Sequence, residues 1–88
     1  MDMKLEVTYS KDAIKAFRKM PAKTATALRD KIELYADDTT ISYNWVKPLV
    51  GIEGLRIRQG DYRAVCSVRG DVAIFHVYKV GNRREIYR

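Results

Sequence analysis

An 88-residue chain has room for one compact core and not for two, so a single domain spanning residues 1–88 is expected. With 47% hydrophobic and 32% charged residues the composition is that of a folding chain and excludes intrinsic disorder. Seventeen Lys and Arg against eleven Asp and Glu leave a charge of +6, which favours polyanionic partners: nucleic acid, an acidic protein segment or anionic lipid. The lone Cys66 excludes an internal disulfide, and no apolar run reaches the length of a signal peptide or a membrane span, so a cytoplasmic location away from membranes is expected. One His and one Cys fall short of the usual metal-ligand set, and neither a metal nor a cofactor is expected.

Residues Lys4 to Tyr9 alternate, with Leu5, Val7 and Tyr9 on one side, and predict a first strand. Ser10 supplies an N-cap oxygen and Asp12 a first-turn negative charge. Ala13, Phe17 and Met20 follow at helical spacing up to Pro21. A second helix begins at Pro21 or Ala22, with Ala25, Leu28, Ile32 and Tyr35 on one face, and ends at the Asp37-Asp38-Thr39-Thr40 cluster. The two helices are expected to form a hairpin. Residues Ile41 to Gly54 hold no sustained period and read as a connecting loop, in which Tyr43, Trp45 and Val46 close the core.

From Leu55 onward the period is two. Leu55 and Ile57 alternate with Arg56 and Arg58, Gly60-Asp61 makes a turn, and Tyr62 to Val68 forms the next strand. Gly70-Asp71 turns into a third long strand from Val72 to Val80, and Gly81-Asn82 breaks it before a short Glu85 to Tyr87 segment able to pair again. The expected class is α+β: βαα followed by a three- to four-stranded antiparallel meander, with the helical hairpin on one sheet face and the other face open. In that register Leu55, Ile57, Tyr62, Ala64, Val72 and Ile74 are buried against Phe17, Leu28 and Ile32. Cys66 is a small core residue. His76, on the parity of Val72, Ile74 and Val80, is a partly buried structural histidine.

Arginine placement carries the functional signal. Arg56 and Arg58 project from one side of a strand, and Arg63 just across the turn can point the same way. Like charges facing each other across strands are destabilising unless an anion sits among them, and guanidinium groups suit phosphate through bidentate bonds. The tail adds Arg83, Arg84 and Arg88 beside Tyr87, basic charge next to an aromatic able to stack on a base.

At Lys47-Pro48-Leu49-Val50-Gly51, Gly54-Leu55-Arg56-Ile57-Arg58, Gly60-Asp61-Tyr62-Arg63 and Val80-Gly81-Asn82-Arg83-Arg84-Glu85-Ile86-Tyr87-Arg88 the chain resembles the RelE/ParE toxin superfamily. The βαα opening extends the likeness over nearly the whole chain. The resemblance implies a RelE-like ribonuclease fold and a toxin that cuts messenger RNA on the ribosome, the messenger's own 2′-hydroxyl attacking the adjacent phosphate. It implies that Arg56 and Arg58 hold the backbone and Arg63 stabilises the transition state. It also implies that Arg83 assists the leaving group and Tyr87 stacks on a base; the catalytic set is then Arg58, Arg63, Arg83 and Tyr87, and Arg84 of the basic tail is expected to add RNA contact. An acidic antitoxin wrapping the basic surface in a hetero-oligomer is implied as well.

Two positions depart from that pattern. Arg58 stands where several active members carry Lys, and a guanidinium with a pKa above about 12 is a poor base. Asn82 stands where many carry His, and an amide exchanges no proton near neutral pH. The superfamily also contains ParE-like toxins that inhibit DNA gyrase and share the Gly-Asp-Tyr-Arg phrase, which makes them the alternative, beside a nontoxic degenerate member.

Overall fold

The computed structural model describes residues 4–86. Strand β1 (Glu6–Tyr9) leads into helices α1 (Lys11–Lys19) and α2 (Ala22–Asp37). Four strands follow, β2 (Val46–Pro48), β3 (Leu55–Gln59), β4 (Tyr62–Arg69) and β5 (Ile74–Asn82), and then one helical turn, α3 (Arg83–Ile86). The local causes are legible. Ser10 Oγ accepts from Ala13 N at 3.0 Å and donates to the Tyr78 carbonyl at 2.9 Å, so one hydroxyl caps α1 and ties it to β5. Pro21 separates the helices without breaking either, because its missing N–H falls where a helix start has no partner for one.

The sheet runs β1-β5-β4-β3-β2. Strands β2 to β5 are antiparallel neighbours, while β1 returns to lie parallel to β5, with Thr8 opposite His76. The class is α+β as expected, with five strands in place of three or four.

Both helices pack on one face. Ala13, Met20, Ala25, Leu28, Ile32 and Ala36 meet Ile57, Ala64, Cys66, Phe75, Val77 and Val80 in a single buried cluster. Phe75, Leu28, Ile32 and Ile57 are its largest fully buried side chains. Truncating Phe75 to Ala should cost about 3–5 kcal/mol. Burial drives the Cys66 thiol pKa upward, as fits a core sulfur.

Four expectations are corrected. First, the 41–54 segment is not wholly a loop, for Val46–Pro48 pairs with Leu55–Ile57 as an edge strand. Three residues are too few to show a period, and Pro48 is tolerated because an edge strand need not donate outward. Trp45 and Val46 do pack against the core, whereas Tyr43 lies outside that cluster.

Second, β5 begins at Ile74, not Val72. The preceding turn spans Gly70 to Ala73, with Ala73 at φ +55° and bonds from Val72 N to Arg69 O and Ala73 N to Gly70 O. Val72 is 54% exposed, and Phe75 and Val77 take the core positions. Val80 rejoins them because a bulge opposite Val65 and Cys66 inserts Tyr78 between Val77 and Lys79.

Third, Leu55, Tyr62, Ile74 and Phe17 are half-buried and not buried. His76 is half-buried on the parity opposite Phe75 and Val77, where its Nδ1 meets Thr8 Oγ1 at 2.7 Å. Fourth, residues Glu85 and Ile86 belong to a helical turn and not to a strand. The Asn82 side-chain oxygen accepts from Arg84 N at 3.1 Å and starts that turn.

Candidate nucleic-acid interface

The β-ladder places the basic residues. Arg58 lies directly opposite Arg63, and Arg63 opposite Gly81, so one cross-strand row runs Arg58, Arg63, Gly81. The next row on the same face runs Lys47, Arg56, Val65, Lys79 across β2, β3, β4 and β5. Opposed residues share a face, so Arg56, Arg58 and Arg63 come together on the side away from the helices, as the sequence predicts. Val65 is buried yet outside the core cluster, set between the register neighbours Arg56 and Lys79 on this open face. Long basic side chains shield apolar surface with their aliphatic stems while keeping the charge in water.

Sequence reading missed Lys47 and Lys79. Lys47 sits on the strand too short to show a period, and the bulge hides the parity of Lys79. Only the ladder reveals that both extend the arginine row.

Arg63 is not splayed into solvent. One of its terminal nitrogens donates to the Gly60 carbonyl at 2.6 Å and to the Tyr62 carbonyl at 2.9 Å, folding the guanidinium back onto the β3–β4 turn. This fixes its position next to Arg58 and leaves the remaining N–H groups of the fork for an acceptor. Among the described residues no carboxylate lies within ion-pair distance of Arg58, Arg63, Arg83, Arg84, Lys47 or Lys79, whereas Lys4 pairs with Asp37 and Arg69 with Asp71. Arg58 and Arg63 therefore oppose each other with no carboxylate between them, at a like-charge cost of up to about 1 kcal/mol.

Arg83 is placed by the backbone. Its N–H donates to the Asp61 carbonyl at 2.7 Å, pinning the start of α3 to the β3–β4 turn. Arg83 and Arg84 are exposed, and with Asp61, Tyr62, Asn82 and Glu85 they line an open cleft of about 610 Å³. A second hollow of about 360 Å³ lies behind it, between α1 and the Tyr62, Asn82 and Glu85 side. Turn α3 closes over Gly81, where an added Cβ would lie 3.5 Å from a Glu85 carboxylate oxygen and 3.8 Å from Ile86 Cδ1. Tyr87 and Arg88, expected to stack on a base and add charge, lie outside the described residues.

At the β2 edge, Arg58 N donates to the Trp45 carbonyl at 2.9 Å and Lys31 Nζ donates to the Arg58 carbonyl at 2.9 Å. The Lys31 ammonium lies 5.2 Å from the Trp45 ring centre, and Tyr43 stacks on Trp45 at 4.3 Å. Partial burial, and then the Arg58 charge, push the Lys31 pKa down. Among the described residues no group of three or more His, Cys, Asp or Glu could hold a metal ion, and no helix is long and apolar enough to cross a membrane.

The chain matches no protein-family model and no curated protein sequence. Solved structures do match. A RelBE toxin–antitoxin complex from Mycobacterium tuberculosis aligns with TM-score 0.74 and 18% identity over 94% of this chain and 98% of that one. The free E. coli toxin RelE, as a double arginine-to-alanine variant, aligns with TM-score 0.74 and 23% identity over 97% and 92%. An archaeal RelE–RelB complex from Pyrococcus horikoshii aligns with TM-score 0.74 and 20% identity over 92% and 97%. The fold of this chain is thus that of the RelE toxins, with end-to-end coverage on both sides.

Proposed function

We propose that this chain is the toxin of a RelE-type toxin–antitoxin pair, a cytoplasmic endoribonuclease that cuts messenger RNA on the ribosome. The observation that carries the reading is the pair of cationic rows Arg58–Arg63 and Lys47–Arg56–Lys79 on the open sheet face of a RelE fold. A single strand of phosphates laid on that face meets cations at the spacing of adjacent β-strands, about 4.8 Å.

In the reaction the messenger 2′-oxygen gives its proton to water and forms a bond to the adjacent phosphorus while the bond to the 5′-oxygen breaks and that oxygen takes a proton from water, leaving a cyclic phosphate and a new 5′-hydroxyl. Arg56 and Arg58 hold the phosphates. Arg63, anchored by two carbonyls, directs its free N–H groups at the charge that develops on the non-bridging oxygens. Arg83, at the mouth of the cleft, assists the departing oxygen, Arg84 adds phosphate contact and Tyr87 aligns a base. Since guanidinium keeps its proton, Arg58 neutralises and orients without acting as the base. Positioning and charge stabilisation are the dominant contributions in such a transfer.

An acidic antitoxin covering the same face completes the assignment; the complexes in which the RelE neighbours are seen support it. Toeprinting of a translated messenger tests it: new stops within the coding sequence should appear with the parent protein and be strongly reduced with Arg63→Ala. One observation favours a second reading, a ParE-like toxin that blocks DNA gyrase without cutting RNA. Asn82 accepts from Arg84 N through its Oδ1 at the start of α3 and offers no acid–base group to the cleft. Supercoiling arrested by a protein that leaves no toeprint would select that reading.

A further inference from the structure

The β2 edge of the sheet holds a feature that the proposed reaction does not use. Tyr43 and Trp45 form a stacked pair with an interplanar angle of 21°, and Lys31 from α2 holds its ammonium 5.2 Å from the Trp45 ring centre. The group is fixed to the arginine row by backbone bonds, because the Trp45 carbonyl accepts from Arg58 N and the Arg58 carbonyl accepts from Lys31. Trp45 packs against the core, but Tyr43 does not. Among the described residues the Tyr43 ring has no other ring contact and its hydroxyl no hydrogen bond, while its carbonyl accepts from Val46 N at 3.2 Å. One face of the Tyr43 ring is taken by Trp45, and the ring as a whole remains partly exposed.

We propose that Tyr43, seated on Trp45 beside Lys31, is a base-stacking platform that extends the basic face past Arg58 and takes one further nucleotide of a single-stranded RNA. The proposal rests on the reading of the arginine rows as an RNA face and adds a second contact zone at their outer end. Single-stranded nucleic acid is held by a cationic track combined with aromatic rings on which bases stack, and each such stack typically contributes a substantial, sequence-tolerant share of affinity. Here the track and the rings meet through Lys31, whose ammonium lies over Trp45 and donates to the Arg58 carbonyl. The base lies on the free face of Tyr43 as a third layer of the Tyr43–Trp45 stack, and its phosphate lies toward Lys31 and Arg58. A rigid second ring beneath Tyr43 holds the platform in place, which lowers the ordering cost of binding. The cation at Lys31 and the electron-rich faces of the rings suit a polyanion bearing aromatic bases better than an acidic peptide, which offers carboxylates and nothing to stack.

Trp45 is the single tryptophan of the chain, so its emission reports on this edge alone. Titration with a short oligouridylate, without ribosomes, should change Trp45 emission saturably. The same titration followed by anisotropy of labelled RNA should give one affinity. Tyr43→Ala and Tyr43→Leu should weaken binding by roughly tenfold and Tyr43→Phe should not, because the π-face and not the hydroxyl makes the contact. Lys31→Met should flatten the dependence of log affinity on log salt by about 0.7, the share of one phosphate on a single strand. Circular dichroism and thermal melting establish that each variant is folded before it is scored. Saturated RNA binding with unchanged Trp45 emission overturns the proposal, as does parent affinity in Tyr43→Leu. Polyglutamate matching the RNA in affinity and emission change assigns the edge to a protein partner and overturns it equally. A positive result without toeprints leaves the platform standing and removes only the ribonuclease assignment.

Discussion

Arg58 and Arg63 face each other across β3 and β4, and the cost of that opposition is met by the bonds that Arg63 makes to the Gly60 and Tyr62 carbonyls. If those bonds preset the guanidinium for the transition state, Arg63→Ala should slow single-turnover cleavage of ribosome-bound messenger by roughly 100-fold or more. Ribosome binding by the same variant should be little changed. Arg63→Lys should recover little, since an ammonium cannot hold two turn carbonyls and still present a planar fork. Gly54 gives a test of structure at one atom. It sits at φ +132°, and a Cβ there would lie 2.6 Å from the Cys66 carbonyl oxygen, inside contact distance of β4 backbone. Gly54→Ala should therefore lower stability by about 1–3 kcal/mol, read as a shift in urea midpoint at constant slope. At this scale the sequence was a good guide: the two-residue spacing of Arg56 and Arg58 and the position of Arg63 beyond the turn sufficed to place all three on one face. The doubled hydrogen bond of Arg63 was not legible, because it depends on how the turn carbonyls point.

At the scale of elements, the clear strands were those with several turns of alternation, and errors gathered where one residue was added or a strand was short. The tight turn assumed at Gly70-Asp71 in fact takes up Val72 and Ala73, which moved the core parity of β5 by one, and the bulge at Tyr78 then restored Val80. A one-residue slip reverses every side chain, so alternation alone could not distinguish Ile74 from Phe75 as the buried residue. Helix α1 was more secure because its start carries a chemical signature in Ser10. Ser10→Ala removes the cap and the bond to Tyr78, and should cost about 1–2 kcal/mol, seen as a fall of several degrees in melting temperature. Tyr9, on β1 in edge-to-face contact with Phe17, has its phenol pKa raised from 10.0 to about 12 by burial and then by Glu33. A group whose folded pKa lies above its unfolded one favours folding fully below the unfolded value and loses that contribution as pH rises through the folded value. Stability should therefore fall between pH 10 and about 12, and Tyr9→Phe should flatten that limb of a urea-midpoint profile against pH.

Across the whole molecule the charge of +6 is not spread evenly, for the open face carries Lys47, Arg56, Arg58, Arg63 and Lys79 while the helical face is used to build the core. Affinity for an acidic antitoxin should consequently fall as salt rises from low to physiological ionic strength, measured by calorimetry; an affinity indifferent to salt would mean an apolar interface elsewhere. The class of fold was legible in the sequence because βαα and a run of alternating strands leave few ways to cover one sheet face. The parallel return of β1 was not, since no local pattern says which strand a distant segment will join. That return governs the order in which the molecule can be finished. Thr8 and His76 are separated by 68 residues, and at synthesis rates of about 5–20 residues per second roughly 3–14 s pass between the making of one and the other. During that interval β1 has no partner strand, α1 has no β5 to cap against, and the β3–β4 arginines emerge on a hairpin that β5 has yet to join. The cationic surface becomes rigid last, so any partner present at the site of synthesis meets a soft chain before it meets a finished one.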